Sequence, residues 1–76
     1  MRFQDQINGW TLDESEIQAN FDHDFENRLG LVGTDSQDLM SLLWDYDQDV
    51  YWDVVYAFEG ALFRGEPVLG YERIDG

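Results

Sequence analysis

The sequence predicts a small α+β domain that is mainly helical, with about three helices, a short N-terminal β-hairpin and a C-terminal segment that could add a strand. Three observations predict this class: an Asn-Gly pair between two short runs, a capping box before an apolar stripe at helical spacing, and a glycine and a proline that close a later apolar segment. A length of 76 residues allows one domain, so residues 1–76 are expected to form a single compact acidic unit.

The N-terminal hairpin is predicted from Asn8-Gly9, which stands between two runs that contain apolar residues. Both central residues of a type I′ turn need positive φ, and Asn-Gly is the pair that adopts it most readily. Residues 2–7 and 10–12 are therefore expected to pair across this turn. Residues 68–74 could form a strand that pairs with the hairpin.

The first helix is predicted from its N-terminus, where Asp13 is a good N-cap and Glu16 completes a capping box. Apolar residues then recur every four positions and predict one buried stripe: Ile17, Phe21, Phe25 and Leu29. Arg28 falls in the expected last turn, and Gly30 is predicted to end the helix as its C′ residue. The opposite face is expected to carry three acidic residues, Asp22, Asp24 and Glu26.

Two further helices are predicted along the rest of the chain. Thr34 and Gln37 repeat the capping-box pattern and predict a helix over residues 35–45. Residues 50–64 are ambiguous, because the apolar positions fit both the alternation of a strand and the threes and fours of a helix. Arg64, Gly65 and Pro67 resemble a helix stop, which favours a helix at 50–64 over the strand.

The charge is the strongest clue to function. Seventeen Asp and Glu oppose four Arg, and there is no Lys, so the formal net charge is −13. The chain is nonetheless 43% hydrophobic and 16% aromatic, which is too apolar for a disordered acidic tail. A folded body with this surface repels nucleic acid and anionic membranes, and it attracts basic proteins.

Several function classes are disfavoured by what the sequence lacks. No apolar run approaches the ~20 residues of a membrane span, and the N-terminus has no apolar signal region, so a cytoplasmic protein is expected. There is no Cys, the single His is His23, and no Ser lies in a nucleophile motif. We therefore expect neither an enzyme nor a cofactor.

A partial calcium motif occurs where three aspartates alternate, at Asp45, Asp47 and Asp49. The sixth loop position should be Gly and is Val50, and the twelfth should be a bidentate Glu and is Tyr56. A solvated acidic turn that caps the next helix is the favoured interpretation.

The same region is the predicted partner-binding surface. Aromatic residues alternate there with aspartates, and Tyr and Trp are common interface anchors, while carboxylates pair with Arg and Lys. The alternative is a small aromatic core beside a solvated turn, which is expected above all for Trp44 and Phe58. The predicted partner-binding residues are Asp22, Asp24, Glu26, Asp45, Tyr46, Asp47, Asp49, Trp52 and Asp53.

In size, acidity and aromatic content, the chain resembles small phage-encoded inhibitors that imitate DNA, such as anti-CRISPR proteins and restriction inhibitors. That resemblance implies an inhibitor whose carboxylates occupy a basic groove on a nucleic-acid-binding protein or nuclease complex. It implies no direct contact with nucleic acid or a membrane.

Ile7-Asn8-Gly9 and residues 38–45, DLMSLLWD, are similar to the opening strand and the Leu-rich, Trp-Asp helix of barstar-like ribonuclease inhibitors. That family continues with a parallel strand, where this chain has the ambiguous segment 50–64. The resemblance also implies an acidic blocker of a nucleic-acid enzyme.

A rival interpretation is a halophile-type acidic domain whose charge serves solubility, acting as a protein–protein interaction module or a homodimer. Asp outnumbers Glu by eleven to six and Lys is absent, which is also typical of a surface adapted to high salt.

Overall fold

A computed structural model describes residues 1–75, and within this range the chain forms a three-stranded antiparallel sheet and three helices. The elements in chain order are β1 Arg2–Asp5, β2 Trp10–Asp13, α1 Glu14–Val32, α2 Thr34–Tyr46, α3 Gln48–Phe63 and β3 Tyr71–Arg73. The predicted mainly helical α+β class is confirmed.

The N-terminal hairpin forms, but its turn is longer than predicted. β1 ends at Asp5, which pairs with Trp10, so the loop spans residues 6–9 and the two-residue turn is wrong. The cause is the Asp5 carboxylate, whose Oδ1 accepts hydrogen bonds from the backbone N–H groups of Ile7 and Asn8. Gly9 then supplies the positive φ, at 79°, that returns the chain.

α1 begins as predicted and ends later. Asp13 and Glu16 form the full capping box. Gly30 does not stop the helix, which continues to Val32 and ends at Gly33. Gly30 serves close packing, because a Cβ there would lie 2.9 Å from Oε1 of Gln37 on α2. Gly30 is therefore needed for packing between α1 and α2, and its predicted role as the C′ residue is wrong.

The chain turns between α2 and α3 at Asp47. Its N–H donates to the Leu43 carbonyl at the end of α2, and its carboxylate accepts from the Val50 N–H at the start of α3. The acidic turn predicted to cap the third helix is thus confirmed, with α3 beginning two residues early. α2 starts without the predicted Thr34 cap, since no side chain caps its N-terminus.

Residues 50–63 are helical, as part of α3, so the strand alternative is wrong, and the parallel strand implied by the barstar-like resemblance is not formed there. Gly65 ends α3 with φ +100°, and the following N–H, of Glu66, donates to the Ala61 carbonyl. The predicted C-terminal strand forms as β3, which pairs antiparallel with β1 and shortens to Tyr71–Arg73.

The core lies between the sheet and the helices α1 and α3. The predicted α1 stripe is buried throughout and packs against Phe3, Val55, Leu62 and Tyr71. α2 is peripheral, with Met40 as its buried residue. Trp44 and Phe58, which were expected in the core, are about two-fifths exposed because they lie at the edges of the α2–α3 contact. No helix within residues 1–75 is long and apolar enough to cross a membrane.

Candidate partner-binding surface

The charges of this protein are unevenly distributed along the fold. α2, α3 and the residue between them, which we call the acidic hairpin (residues 34–63), contain no Lys or Arg. The acidic hairpin carries seven acidic residues: Asp35, Asp38, Asp45, Asp47, Asp49, Asp53 and Glu59. The four Arg lie on the sheet, on α1 and just after α3. One helical unit therefore has a formal charge of 0 − 7 = −7 with no internal compensation.

Six of the nine predicted partner-binding residues come together where α2 meets α3. We call this group the acidic corner: Asp45, Tyr46, Asp47, Asp49, Trp52 and Asp53. All four of its aspartates are exposed, Trp52 is half-buried, and Tyr46 is 82% exposed. The corner forms because Asp47 is the single residue between α2 and α3 and, with φ −154° and ψ 79°, changes the direction of the chain there.

Aromatic side chains at the end of α2 and along α3 pack against one another next to the acidic corner. The Trp44 ring meets Tyr51 and Trp52 edge-on, with centroids 5.0 Å and 6.1 Å away, and Trp52 stacks on Tyr56 at 5.8 Å. Tyr51 is buried, so it belongs to the core. Burial raises the pKa of Tyr51 to about 12, and the nearby Glu26 carboxylate adds to this rise. The Tyr51 phenol therefore stays neutral beneath a strongly acidic surface.

The three predicted acidic residues of α1 do not form one exposed face. Asp22, Asp24 and Glu26 are all half-buried, because α1 is packed over a wider arc than the apolar stripe predicted. Asp22 and Glu26 lie one turn apart and act on Tyr51 of α3. Asp24 lies elsewhere, at a shallow cavity of about 240 Å³ beside Ile7. Glu26 therefore adjoins the aromatic support of the corner, whereas Asp24 does not.

Two acidic residues that the sequence pattern did not predict to meet, buried Glu59 and half-buried Asp22, lie close together between α1 and α3. Glu59 is only 7% exposed, and burial followed by repulsion from Asp22 raises the pKa of its carboxyl group. Asp22 Oδ1 and Glu59 Oε2 are both buried and accept no hydrogen bond from the described residues. The available signal was helical spacing, since Glu59 falls between the buried positions Val55 and Leu62.

The buried ion pair of Asp5 and Arg28 was also missed. Arg28 Nη2 lies 2.6 Å from Asp5 Oδ2, Nη1 donates to the Leu69 carbonyl, and the guanidinium lies 3.9 Å from the Tyr71 ring centroid. Burial opposes ionisation of Asp5, but hydrogen bonds from Arg28 and Asn8 outweigh it and lower the Asp5 pKa. This pair joins α1 to β1 and to the turn before β3, so its role is structural.

Metal binding finds no support in residues 1–75, where no group of three or more His, Asp or Glu side chains is arranged to hold an ion. The aspartates of the partial calcium motif are divided between α2, the junction and α3, so they do not form a continuous binding loop. His23 is an exposed residue on α1.

The fold and this surface define a small α+β domain with an acidic helical hairpin, in which α3 contributes to the core and α2 is peripheral. Comparison with known proteins gives no match, since no family model, curated protein or solved structure is significantly similar to this chain.

Proposed function

We propose that this protein is a cytoplasmic inhibitor that binds a basic nucleic-acid-binding protein or nuclease complex through the acidic corner and blocks its access to nucleic acid. This is the mode of the DNA-mimic inhibitors of the anti-CRISPR and anti-restriction type. One observation carries the proposal: the acidic hairpin has seven acidic residues, no basic residue, and four exposed aspartates at one corner.

The mechanism is competition for cations. Nucleic-acid-binding proteins neutralise phosphates with Lys and Arg, and duplex DNA offers about one charge per 1.7 Å of its axis. Exposed carboxylates at the acidic corner can accept the same charge-assisted hydrogen bonds. Tyr46 and Trp52 add apolar area next to those charges, as interface anchors do. Blocking by occupancy needs no catalytic group, and association should be fast and sensitive to salt.

The rival proposal, a halophile-type interaction module or homodimer, is supported by exposed apolar side chains on the same hairpin, such as Leu39 and Leu42. The uneven charge favours the inhibitor instead. All four Arg lie outside residues 34–63, so the carboxylates of the acidic hairpin have no cation within the hairpin to pair with and can pair with the Lys and Arg of a partner.

Paired charge reversals test the proposal. Asp45→Lys with Asp53→Lys changes the corner without removing the Asp47 cap, and Glu66→Lys with Glu72→Lys changes the net charge equally elsewhere. Tagged versions are used to capture partners from host cells at physiological salt, and the eluates are analysed by mass spectrometry. We expect the unmodified protein to retain a nucleic-acid-binding protein that raised salt releases.

The corner variant should lose about 100-fold in affinity for that protein, while the control variant should lose less than about threefold. Equal losses in the two variants would contradict a localised acidic surface. An empty eluate from the folded protein would favour the halophile-type or self-associating domain.

A further inference from the structure

An apolar groove opens between α2 and α3 on the acidic hairpin, next to the acidic corner. We call it the anchor groove, and it is lined by Leu29, Ser36, Leu39, Met40, Val54 and Phe58. Leu29 and Met40 form its buried floor, and Leu39, 57% exposed, and Phe58 form its open sides. The groove exists because α2 packs mainly on α1 and leaves the middle of α3 partly uncovered.

The size of the groove limits what can occupy it. Its volume is about 160 Å³. An apolar protein cavity of roughly 150 Å³ accommodates benzene, whereas drug-sized ligands need roughly 300 Å³ or more. The anchor groove therefore fits a single aromatic ring or branched aliphatic side chain.

The charge around the groove limits the chemistry of its occupant. Asp35 lies one turn before Leu39 on α2, Asp53 precedes Val54 on α3, and both aspartates are exposed. The acidic hairpin offers no Lys or Arg to compensate them. An apolar side chain entering the groove would be favoured if its neighbours along the partner chain were basic, and disfavoured if they were acidic.

We propose that the anchor groove binds one large apolar side chain of a basic partner segment, whose flanking Lys or Arg pair with the carboxylates of the acidic hairpin. This deepens the proposed function and rests on it, because it adds an apolar contact to an otherwise electrostatic inhibitor. The groove supplies selectivity among basic proteins, since only a segment with an apolar residue between cations satisfies both features.

Charge disfavours a second copy of this chain as the occupant. Two copies meeting at their grooves would bring together two hairpins that each carry seven acidic and no basic residues. Like charges in close contact oppose such an interface. A dimer nevertheless remains a distinct outcome of the test.

The test uses synthetic peptides of about 15 residues with helix-favouring sequences, the length at which isolated helices become marginally stable in water, together with the 76-residue protein. Binding is measured from the backbone amide NMR shifts of the protein. The probe peptide has one central Phe flanked by Arg one turn away on each side. Two matched peptides replace the Phe by Ser or both Arg by Glu. Leu39→Gln alters the groove, and Leu31→Gln is its control, because Leu31 is 72% exposed and lies outside the groove.

We expect saturable shifts that centre on the groove residues. Replacing the peptide Phe should weaken binding about tenfold, because the buried apolar area is lost. Leu39→Gln should weaken it about fivefold and Leu31→Gln should leave it unchanged. The acidic peptide should not bind.

Three results would overturn the groove proposal. They are no shift at the groove at about 1 mM peptide, equal binding of the Phe and Ser peptides, or a concentration-dependent dimer that Leu39→Gln dissociates. Partner capture separates this proposal from the inhibitor proposal. If Leu39→Gln leaves the affinity for the captured protein unchanged while Asp45→Lys with Asp53→Lys abolishes capture, the groove proposal is wrong and the acidic corner remains supported. If the peptide binds the groove but no nucleic-acid-binding protein is captured, the inhibitor proposal is wrong and the groove remains supported as a peptide-binding site.

Discussion

Replacing Arg28 by methionine removes a buried cation that joins α1 to the sheet. Asp5 would keep its hydrogen bonds from the Ile7 and Asn8 N–H groups and from the Asn8 side chain, but it would lose its charged partner while remaining 1% exposed. Leaving one member of a buried ion pair alone costs about 3–5 kcal/mol. The orphaned Leu69 carbonyl adds to the loss, whereas the retained bonds to Asp5 reduce it, so we expect about 4 kcal/mol.

That loss is large for a protein of this size. At about 0.05–0.15 kcal/mol per residue, a chain of 76 residues has an unfolding free energy of about 4–11 kcal/mol. The Arg28→Met variant should therefore melt about 15–30 °C below the unmodified protein. The assay is urea unfolding at pH 7, followed by far-ultraviolet circular dichroism, with thermal melts beside it.

If Arg28→Met alone does not fold, the double variant Asp5→Asn with Arg28→Met keeps this prediction testable, because removing both charges should restore a folded protein. Where both single variants fold, a double-mutant cycle measures the coupling between the two residues. Asp5→Asn combined with Arg28→Met removes both charges, so the double variant should be more stable than the sum of the two single losses predicts, by at least about 1.5 kcal/mol. Additive losses, or a cost below about 1 kcal/mol for Arg28→Met, would refute the reasoning.

The cycle also has a pH signature. The Asp5 pKa is lowered in the folded protein, so its stabilising contribution is present above its ordinary value of 3.8 and is lost as the pH falls through the folded value. The difference in unfolding free energy between the unmodified protein and Arg28→Met should thus be constant at neutral pH. It should shrink as acid protonates Asp5, first in the variant, where Arg28 no longer offsets the effect of burial on the Asp5 pKa.

Three further predictions concern other parts of the molecule. Glu59→Gln should raise the unfolding free energy at pH 7 by about 1 kcal/mol. The Glu59 pKa is raised in the folded protein, so the stabilising contribution of protonated Glu59 is present below its ordinary value of 4.5 and is lost as the pH rises, and the gain from Gln should vanish near pH 4. The exposed control Glu66→Gln should change the unfolding free energy by less than about 0.5 kcal/mol in the same urea assay. Gly65→Ala should lower the unfolding free energy by about 1 kcal/mol, because Gly65 has φ +100°. Gly33→Ala should be neutral or slightly stabilising, because Gly33 has an extended φ and open space around it. Equal effects of the two substitutions would contradict the role of Gly65 in ending α3. Thermal melts against KCl should show a folded protein at about 0.15 M salt with modest further gain, and unfolding below molar salt would support the halophile-type domain.

Local signals in the sequence predicted most of the elements. The Asp13 capping box and the four-residue spacing of the α1 stripe are short-range patterns, and both appear as expected. Gly65 and the nearby Pro67 are a further short-range signal, and they correctly favoured a helix over a strand for residues 50–64. Such signals work because they depend on backbone groups only a few residues away.

The errors arose where distant groups decide the local structure. Gly30 looked like a cap, but it permits close packing with Gln37 of the next helix. The Asp5 side chain set the hairpin loop, and its ionised form depends on Arg28, 23 positions later. The sequence pattern located the acidic corner because those residues are adjacent in the chain. It could not predict that Asp22 would be half-buried and close to Glu59.

Competition with nucleic acid tests the central claim most directly. A fluorescently labelled duplex is bound to the protein captured from host cells, and its anisotropy is followed while this chain is added. We predict stoichiometric displacement of the duplex, which Asp45→Lys with Asp53→Lys abolishes and Glu66→Lys with Glu72→Lys leaves intact. A ternary complex in which the duplex stays bound, or equal displacement by both variants, would contradict the acidic corner as a nucleic-acid mimic.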